Sequence, residues 1–202
     1  MIDGPFRAYL ETHVTALIAL YQRLGVTPNQ ITLAGLLIAM LAAAVTTTGA
    51  GVIAALIWWA GRLLDGTDGI YARATNQASS FGAYLDIVCD MAAYSAMLVG
   101  FYFLHPDLGA WWLVMSILYT LCITSALAMG DVERNLQVEQ TDRRGLRLGA
   151  GLAEAGETGI AYTLFLLFPS WIEVLVGIWI CVLVTTVVAR TILVRGLTTS
   201  PK

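Results

Sequence analysis

The residues best suited to chemistry in this sequence are four aspartates within one stretch of 26 residues, DGTDGIYARATNQASSFGAYLDIVCD. They are Asp65, Asp68, Asp86 and Asp90, four of the fourteen acidic residues in the chain. Carboxylates held together in a low-dielectric site repel one another strongly, so such a cluster requires a compensating cation. Hard oxygen ligands suit Mg²⁺, Mn²⁺ or Ca²⁺ rather than zinc. The stretch therefore predicts a site for divalent metal ions.

Four carboxylates are enough to bridge two metal ions roughly 4 Å apart, the arrangement that clamps the attacking and leaving oxygens of a phosphoryl displacement. Arg73, in the same stretch, adds a guanidinium fork suited to phosphate. The alternative is that the acids are helix ends paired with Arg62 and Arg73. Two arginines cannot neutralise four acids, so the metal site is the favoured interpretation.

Two helices must position these acids. The first two aspartates are three residues apart and the last two are four apart, so each pair shares one face of a helix. The polar segment 74–79 links the helices, and Ser79 or Ser80 is the expected N-cap of the second. So short a link forces an antiparallel hairpin, which brings all four carboxylates together.

The composition of the chain is that of an integral membrane protein. Of its 202 residues 58% are hydrophobic and only 12% are charged, whereas soluble domains carry about 25% charged residues. A helix that spans a bilayer needs roughly 20 apolar residues. Six windows are predicted to be such helices, and they are 31–49, 52–72, 80–104, 110–129, 152–168 and 171–194.

A shorter apolar run, 6–24, carries too many polar side chains to cross and is predicted to lie on the membrane surface as an amphipathic helix. It lacks the order of a cleavable signal peptide, so we expect it to be retained. The expected fold is therefore all-α and integral to the membrane. An interfacial helix in residues 1–24 precedes six transmembrane helices, and residues 25–202 form the transmembrane domain of what is overall one domain.

The distribution of basic residues predicts the orientation. All eleven Lys and Arg residues fall on one side of the membrane in the six-helix arrangement, and the loops on the other side contain none. By the positive-inside rule, both termini and the aspartate stretch are expected to be cytoplasmic. No feature of this charge pattern indicates a nucleic-acid partner. Cys89, Cys122 and Cys181 lie in apolar helices without CxxC spacing and are expected to be small hydrophobic residues rather than metal ligands.

The aspartate stretch resembles the signature of the CDP-alcohol phosphotransferases. The matching positions are Asp65, Asp68, Gly69, Ala72, Arg73, Gly82, Asp86 and Asp90. The resemblance implies a membrane enzyme that moves a phospho-alcohol group from a CDP-linked donor to an acceptor hydroxyl and releases CMP. It implies that Asp65, Asp68 and Asp86 bind Mg²⁺ or Mn²⁺, with two ions expected. Asp90 would be the general base and would also touch the metals.

The same resemblance implies contacts to the nucleotide of the donor. Gly69, Ala72 and Gly82 would be small where the nucleotide packs, and Arg73 would contact the donor beside them. Because this chain has little beyond its helices, CDP-diacylglycerol is the expected donor. Membrane members of the family are typically dimers, so a homodimer is expected as well.

A second stretch, GVTPNQIT at residues 25–32, also resembles the family. These residues are typical of the start of a helix, with Thr27 as N-cap, Pro28 in the first helical position and Gln30 completing a capping box. Capping alone explains these residues. A helix N-terminus can also hold a phosphate, so Asn29 and Thr32 are candidate nucleotide-binding residues.

The acceptor stays open between glycerol phosphate, inositol phosphate, inositol and serine. An arginine cluster would suit a phosphorylated acceptor, although positive-inside loop charge explains it equally well. Glu154 and Glu157 would instead hold an amine or a polyol, or would pair with the arginines. The candidate acceptor residues are thus Arg143, Arg144, Arg147, Arg195 and Glu157.

Three alternative functions share some of these sequence features. A CDP-aminoalcohol phosphotransferase acting on a lipid acceptor would use the same signature. A membrane prenyltransferase usually needs a second aspartate-rich motif, and none follows Asp90. A cation or proton transporter would carry acids near mid-membrane on several helices, whereas these four cluster near one face.

Overall fold

The computed structural model describes residues 15–136 and 155–199, and the regular structure within them is entirely helical. Within these residues the α-helices are α1 (Thr15–Leu24), α2 (Pro28–Thr46), α3 (Gly51–Ala74), α4 (Ser80–Leu104), α5 (Gly109–Asn135), α6 (Ala155–Leu167) and α7 (Ile172–Thr199). Single 3₁₀ turns, Pro106–Leu108 and Pro169–Trp171, precede α5 and α7. The expected all-α class is confirmed for the described residues.

In the described part of the chain, four segments are helical, long and apolar enough to cross a membrane, and they are Pro28–Thr46, Ser80–Leu104, Pro106–Asn135 and Pro169–Thr198. The chain is therefore a multi-pass integral membrane protein. The predicted window 52–72 is helical within α3, but its second half carries the charged residues of the aspartate stretch. The window 152–168 is described only from residue 155, where α6 is 13 residues long.

Of the predicted surface helix 6–24, residues 15–24 form α1, and the rest lies outside the described residues. α1 packs onto the end of α3 that carries the aspartates. Tyr21 and Tyr71 meet edge to face with ring centroids 5.3 Å apart. The Tyr71 hydroxyl donates to the Val26 carbonyl at 3.1 Å, and the Tyr21 hydroxyl lies 3.0 Å from Thr67 Oγ1. α1 is thus fixed one residue away from Asp68.

Local sequence determines where α2 and α4 begin. Thr27 Oγ1 accepts a hydrogen bond from the Gln30 amide at 3.4 Å, and Gln30 Oε1 accepts one from the Thr27 amide at 2.8 Å. The predicted capping box is confirmed. Ser79 Oγ accepts from the Gly82 amide at 3.0 Å, so Ser79, rather than Ser80, caps α4.

The link between α3 and α4 reverses the chain in five residues, 75–79. Asn76 has a φ of 55°, a left-handed conformation that asparagine tolerates better than most residues. The Gln77 amide then donates to the Ala72 carbonyl at 2.8 Å and closes the end of α3. Arg62 in α3 consequently faces Asp90 in α4, as the predicted antiparallel hairpin requires.

α2 holds the two aspartate helices in place because small residues let it approach both backbones. A Cβ added to Gly61 of α3 would lie 3.1 Å from the Gly35 carbonyl oxygen of α2. A Cβ added to Gly100 of α4 would lie 2.6 Å from the Ala43 carbonyl oxygen. Close backbone packing of this kind is a common mode of association between membrane helices. α3 and α4 are therefore positioned by a shared neighbour as well as by their link.

Buried aromatic side chains form the core that the acid-bearing helices share with the later helices. Trp58 and Tyr162 are fully buried, and their ring centroids are 5.4 Å apart. The Tyr162 hydroxyl donates to the Tyr94 carbonyl at 3.2 Å and ties α6 to α4. Between α5 and α7, Trp179 Nε1 donates to the Tyr119 hydroxyl at 2.8 Å. Tyr94 of α4 also stacks on Tyr119 of α5 with ring centroids 5.8 Å apart, so these contacts join α3, α4, α5, α6 and α7 into one packed body.

Candidate metal and substrate site

Three of the predicted acids converge where α3 meets α4. Asp65, Asp68 and Asp86 each present a carboxylate oxygen, and the three oxygens lie within 4.8 Å of one another. Asp68 is 7% exposed, and the other two are half-buried. The helix-face spacing in the sequence and the short link together account for this convergence.

The geometry of these oxygens fits a divalent cation. Oxygen ligands lie about 2.0 to 2.6 Å from Mg²⁺ or Ca²⁺, so two ligands of one ion are at most about 5 Å apart. One oxygen of Asp65, Oδ1, is buried and accepts no hydrogen bond from any residue that the structure describes. Leaving a buried polar atom without a partner is unfavourable. A cation bound between the three carboxylates would satisfy it.

The fourth acid, Asp90, is held by an arginine. Arg62 Nη1 donates a short hydrogen bond to Asp90 Oδ1 and lies 3.5 Å from Asp65 Oδ2. The Arg62 side chain is only 6% exposed, against 22% for that of Asp90. One buried guanidinium therefore connects the acids of α3 with the last acid of α4.

Arg62 is seated between two aromatic rings. Its Cζ lies 5.0 Å from the ring centroid of Trp58 and 5.6 Å from that of Tyr94. Such cation–π contacts favour a guanidinium, all the more so when the pair is removed from water. Nε and Nη2 of Arg62 are buried and have no hydrogen-bond acceptor among the described residues. The arginine thus faces the acids with one nitrogen and the aromatic core with the remainder of its head group.

The candidate nucleotide-binding residues at the start of α2 lie beside the acids. The Thr32 hydroxyl donates a short hydrogen bond to Asp68 Oδ2 and another, of 3.2 Å, to the Pro28 carbonyl. A Cβ added to Gly82 would lie 3.3 Å from Asn29 Oδ1. Asn29 is therefore next to the signature glycine of α4. The start of α2 both caps its own helix and borders the acid cluster.

Other predicted donor residues lie one turn further along α3. Gly69, Ala72 and Arg73 follow Asp68, and a Cβ added to Gly69 would lie 3.2 Å from Arg73 Nη1. Arg73 is exposed, while Gly69 and Ala72 are half-buried. Gly69 thus leaves room for the Arg73 head group close to the acids.

The predicted acceptor residues are only partly described. Arg143, Arg144, Arg147 and Glu154 lie outside the described residues. Arg195 is exposed near the end of α7, and Glu157 is half-buried in the first turn of α6. Of the predicted acceptor residues, the structure therefore gives positions for Arg195 and Glu157.

Sequence reasoning missed two buried charges and underrated a third. Glu133 of α5 and Arg190 of α7 are 2% and 3% exposed, and Arg190 Nη1 donates to the Cys122 carbonyl at 2.6 Å. Arg62 was considered only as a counter-charge in the alternative to a metal site. The available signal was the position of Arg62 one helical turn before Asp65 and of Arg190 inside an apolar run.

The chain belongs to the CDP-alcohol phosphatidyltransferase family, whose model matches residues 25–188 and so includes the whole aspartate stretch. The resemblance seen in the sequence is therefore confirmed. The protein is an enzyme of the transferase class, with the acid cluster at its signature positions.

Two curated relatives differ in how much of the chain they match. Inner membrane protein YnjF of Escherichia coli strain K12 is 28% identical over 176 residues, which cover 85% of this chain and 84% of YnjF. Archaetidylinositol phosphate synthase of Pyrococcus horikoshii is 40% identical over 77 residues, covering 38% of this chain and 41% of that enzyme.

The fold is shared with a solved enzyme, Mycobacterium tuberculosis phosphatidylinositol phosphate synthase, PgsA1. Its crystal structure with CDP-DAG bound superposes with a TM-score of 0.66 at 22% identity, covering 93% of this chain and 94% of that one. A second structure of PgsA1, in complex with manganese and citrate, gives a TM-score of 0.65 at 21% identity and covers 93% of this chain and 90% of PgsA1. At these identities the likeness establishes a common fold.

Proposed function

We propose that this enzyme transfers a phosphatidyl group from CDP-diacylglycerol to the hydroxyl of a small polar alcohol and releases CMP. The observation that carries the proposal is the convergence of Asp65, Asp68 and Asp86 at the family's signature positions. The donor is supported by the bound CDP-DAG of PgsA1, a protein with the same fold. The family's chemistry and the acid geometry thus point to one reaction.

The three converging carboxylates would bind Mg²⁺ or Mn²⁺. PgsA1 has been crystallised with manganese, and carboxylate oxygens suit both ions. When bound, the metal supplies positive charge against the diphosphate of the donor. Thr32 would keep Asp68 oriented through its hydrogen bond, and the half-buried positions of Asp65 and Asp86 leave them open to a ligand.

The donor would lie along the start of α2 and the first half of the signature. Asn29, Gly82 and Gly69 border the acids at close range, and Ala72 and Thr32 complete the border. The exposed Arg73 would reach the phosphates with its guanidinium fork. Small residues at these points leave room for the nucleotide, which is the physical reason for the glycine positions of the signature.

Asp90 would act as the general base. It would accept the proton of the acceptor hydroxyl while the acceptor oxygen forms a bond to the β-phosphorus of the donor and the bond from that phosphorus to CMP breaks. A positioned base contributes typically about 10² to 10⁴ in rate. Arg62 holds one oxygen of Asp90, which would fix the orientation of its carboxylate.

We further propose the arrangement in the membrane. The six helices from α2 to α7 would cross the bilayer, and α1 would lie on its surface as part of an interfacial helix. By the positive-inside rule, both termini and the acid cluster would lie on the cytoplasmic side. A homodimer is proposed through apolar faces of the helices, since α4 and α5 expose large side chains such as Phe103, Leu113 and Ile117.

Two classes of acceptor alcohol are distinguished by the side chains that would bind them. A phosphorylated acceptor, glycerol phosphate or inositol phosphate, would be bound by Arg195 together with Arg143, Arg144 and Arg147. Inositol or serine would instead be held by carboxylates such as Glu157. Each choice makes a different side chain essential.

The test incubates the purified chain with labelled CDP-diacylglycerol, Mg²⁺ or Mn²⁺ and each alcohol in turn, and identifies the lipid formed together with the CMP released. We expect one alcohol to give a labelled phosphatidyl product with CMP in equal amount. Asp68→Asn is the control, and it should give neither product. CMP release without a new lipid for any acceptor would contradict the transferase assignment for this donor.

A further inference from the structure

A hydrogen bond between two buried hydroxyl groups joins α1 to the acid-bearing end of α3. The Tyr21 hydroxyl lies 3.0 Å from Thr67 Oγ1, and the Thr67 hydroxyl donates to the Leu64 carbonyl at 2.6 Å. Because a threonine hydroxyl carries one hydrogen, Tyr21 is the donor in its contact with Thr67. Both residues are buried, and a buried polar group that loses its partner is unfavourable. The Tyr21 hydroxyl therefore has a defined position against α3.

Apolar side chains surround this hydrogen bond and form a small cluster separate from the main core. Its buried members are Tyr21, Ile31 and Tyr71, and the residues packed against them are Leu17, Ile18, Val26 and Leu64. These residues come from α1, α2, α3 and the connection between α1 and α2. Leu20 and Leu24 of α1 are exposed. One face of α1 is thus packed into the protein at the acid-bearing end.

The connection from α1 to α2 fixes the direction of α1. Only residues 25–27 separate the two helices. Gly25 has a φ of 64°, and the Val26 amide donates to the Tyr21 carbonyl at 3.2 Å, so a Schellman motif ends α1. The Val26 carbonyl in turn accepts a hydrogen bond from the Tyr71 hydroxyl at 3.1 Å. This short connection, bonded to both α1 and α3, leaves α1 little freedom to move relative to α3.

The turn of α3 that carries Asp68 is held from two directions. α2 acts through Thr32, whose hydroxyl donates to Asp68 Oδ2, and α1 acts through Tyr21 on Thr67, the residue directly before Asp68. Asp68 presents an oxygen close to those of the other two acids of the cluster. Ligand distances in a metal site tolerate errors of only about 0.2 Å. A small displacement of this turn would therefore weaken metal binding even with every carboxylate present.

We propose that Tyr21 is a positioning residue for the metal site and acts on Asp68 through Thr67. The inference rests on the proposed metal site and extends it to α1, a helix that carries none of the four acids. α1 is then part of the active structure of the enzyme as well as a contact with the membrane surface. The role of Tyr21 is the same whether the acids bind one ion or two.

The test measures the Mn²⁺ affinity of the purified full-length protein, from the electron paramagnetic resonance signal of free Mn²⁺ during titration, together with the Tm. Tyr21→Phe keeps the ring and removes the hydroxyl. We expect it to weaken Mn²⁺ binding by about fivefold, which is within the contribution of one hydrogen bond. Tyr71→Phe is the matched control, because it removes a hydroxyl of the same cluster that donates to the Val26 carbonyl. The control should lower the Tm to a similar extent and bind Mn²⁺ as tightly as the wild type.

Substitutions of Thr67 test the same hydrogen bond from its other partner. Thr67→Val removes the acceptor and should weaken Mn²⁺ binding as Tyr21→Phe does, whereas Thr67→Ser keeps a hydroxyl and should bind normally. The double variant of Tyr21→Phe and Thr67→Val should bind no more weakly than Thr67→Val alone, because both changes break one interaction. Additive losses would show that the two residues act separately and would overturn the proposal.

The outcomes separate this inference from the proposed function. Wild-type Mn²⁺ affinity in a folded Tyr21→Phe protein, or an equal loss in Tyr71→Phe, would overturn the positioning role and leave the metal site standing. No Mn²⁺ binding in the wild type would overturn the metal site and this inference with it. If Tyr21→Phe does not fold, the comparison of Thr67→Val with Thr67→Ser decides the question.

Discussion

The Thr32 hydroxyl of α2 donates a hydrogen bond to Asp68 Oδ2 of α3, and both residues are buried. Thr32 stands in the second turn of a helix whose start is explained by Thr27 and Gln30. The same short segment therefore begins a helix and fixes one of the acids. This contact connects the second family-like stretch of the sequence with the aspartate signature.

We expect Thr32→Val to weaken Mn²⁺ binding and donor binding, because Asp68 loses the donor that orients it. A hydrogen bond to a charged group contributes about 1.5–3 kcal/mol, so Mn²⁺ affinity should fall by about tenfold or more. Thr46→Val is the matched control, since Thr46 is equally buried in α2 but donates only to the Ala42 carbonyl at 2.8 Å. Titration should show normal Mn²⁺ affinity in the control. Normal affinity in Thr32→Val would contradict the orienting role.

Local features of this fold could be predicted from sequence, and the contacts between helices could not. The capping box at Thr27 and the Ser79 cap depend on residues within four positions of each other, so the sequence contains the whole interaction. The convergence of the three acids follows from helix spacing and a short link. The Arg62 contact with Asp90 depends on which helix faces turn toward each other, and that is set by packing against α2.

Helical length and apolar composition give different answers for α3. α3 is as long as its neighbours, but its charged second half disqualifies it on apolar composition. In the structure Arg62 is buried between aromatic rings and acids. A hydropathy window cannot represent such pairing because it scores each residue alone. Helical length and apolar composition are therefore independent evidence in this chain.

The close approach of α2 and α4 gives a prediction for stability. Gly100→Ala would place a Cβ 2.6 Å from the Ala43 carbonyl oxygen, and backbone atoms cannot rotate away. Overpacking typically costs about 1–3 kcal/mol, so we expect a lower Tm in detergent. At Gly196 in α7, an added Cβ meets no atom of the described residues beyond its own helix within 4 Å, so Gly196→Ala should keep or raise the Tm. A Gly100→Ala protein as stable as the control would show that α2 and α4 can separate freely.

The position of Gly82 gives a prediction for donor binding. Gly82→Ala places a methyl group 3.3 Å from Asn29 Oδ1 and from Ser79 Oγ, which fills space beside the acids. We expect the KM for the CDP-linked donor to rise by about tenfold, the equivalent of about 1.4 kcal/mol. Ser79→Ala is the comparison, because it removes the N-cap of α4 and should lower the Tm by a loss of about 1 kcal/mol without changing donor KM. Equal donor KM in Gly82→Ala and wild type would argue against a nucleotide at this place.

Metal removal gives a prediction for turnover. Stripping the protein with EDTA should abolish transfer, because three carboxylates would then face the diphosphate of the donor without a cation between them. Adding Mg²⁺ or Mn²⁺ in excess of the chelator should restore transfer. Ca²⁺ is added in a parallel experiment to compare an ion of different size. The measurement is labelled lipid formed per minute before and after stripping. Full turnover in excess EDTA would be incompatible with a metal-dependent reaction.

Substitutions at Asp90 and Asp65 should have different effects on turnover and on donor binding. Asp90→Asn keeps the shape of the side chain and loses its ability to accept a proton, so turnover should fall at least on the order of 10². Donor affinity should fall far less, because Asp65, Asp68 and Asp86 still converge. Asp65→Asn should weaken metal and donor binding together, since it removes a charge from that group.

The measurement is donor affinity by titration alongside turnover, for both variants and at saturating metal. In Asp90→Asn the neutral amide also leaves Arg62 without its full counter-charge, so the Tm is recorded to exclude unfolding as the cause. Near wild-type turnover in a folded Asp90→Asn protein would remove Asp90 from the role of base. A loss of donor binding as complete as in Asp65→Asn would instead make Asp90 a ligand of the metal.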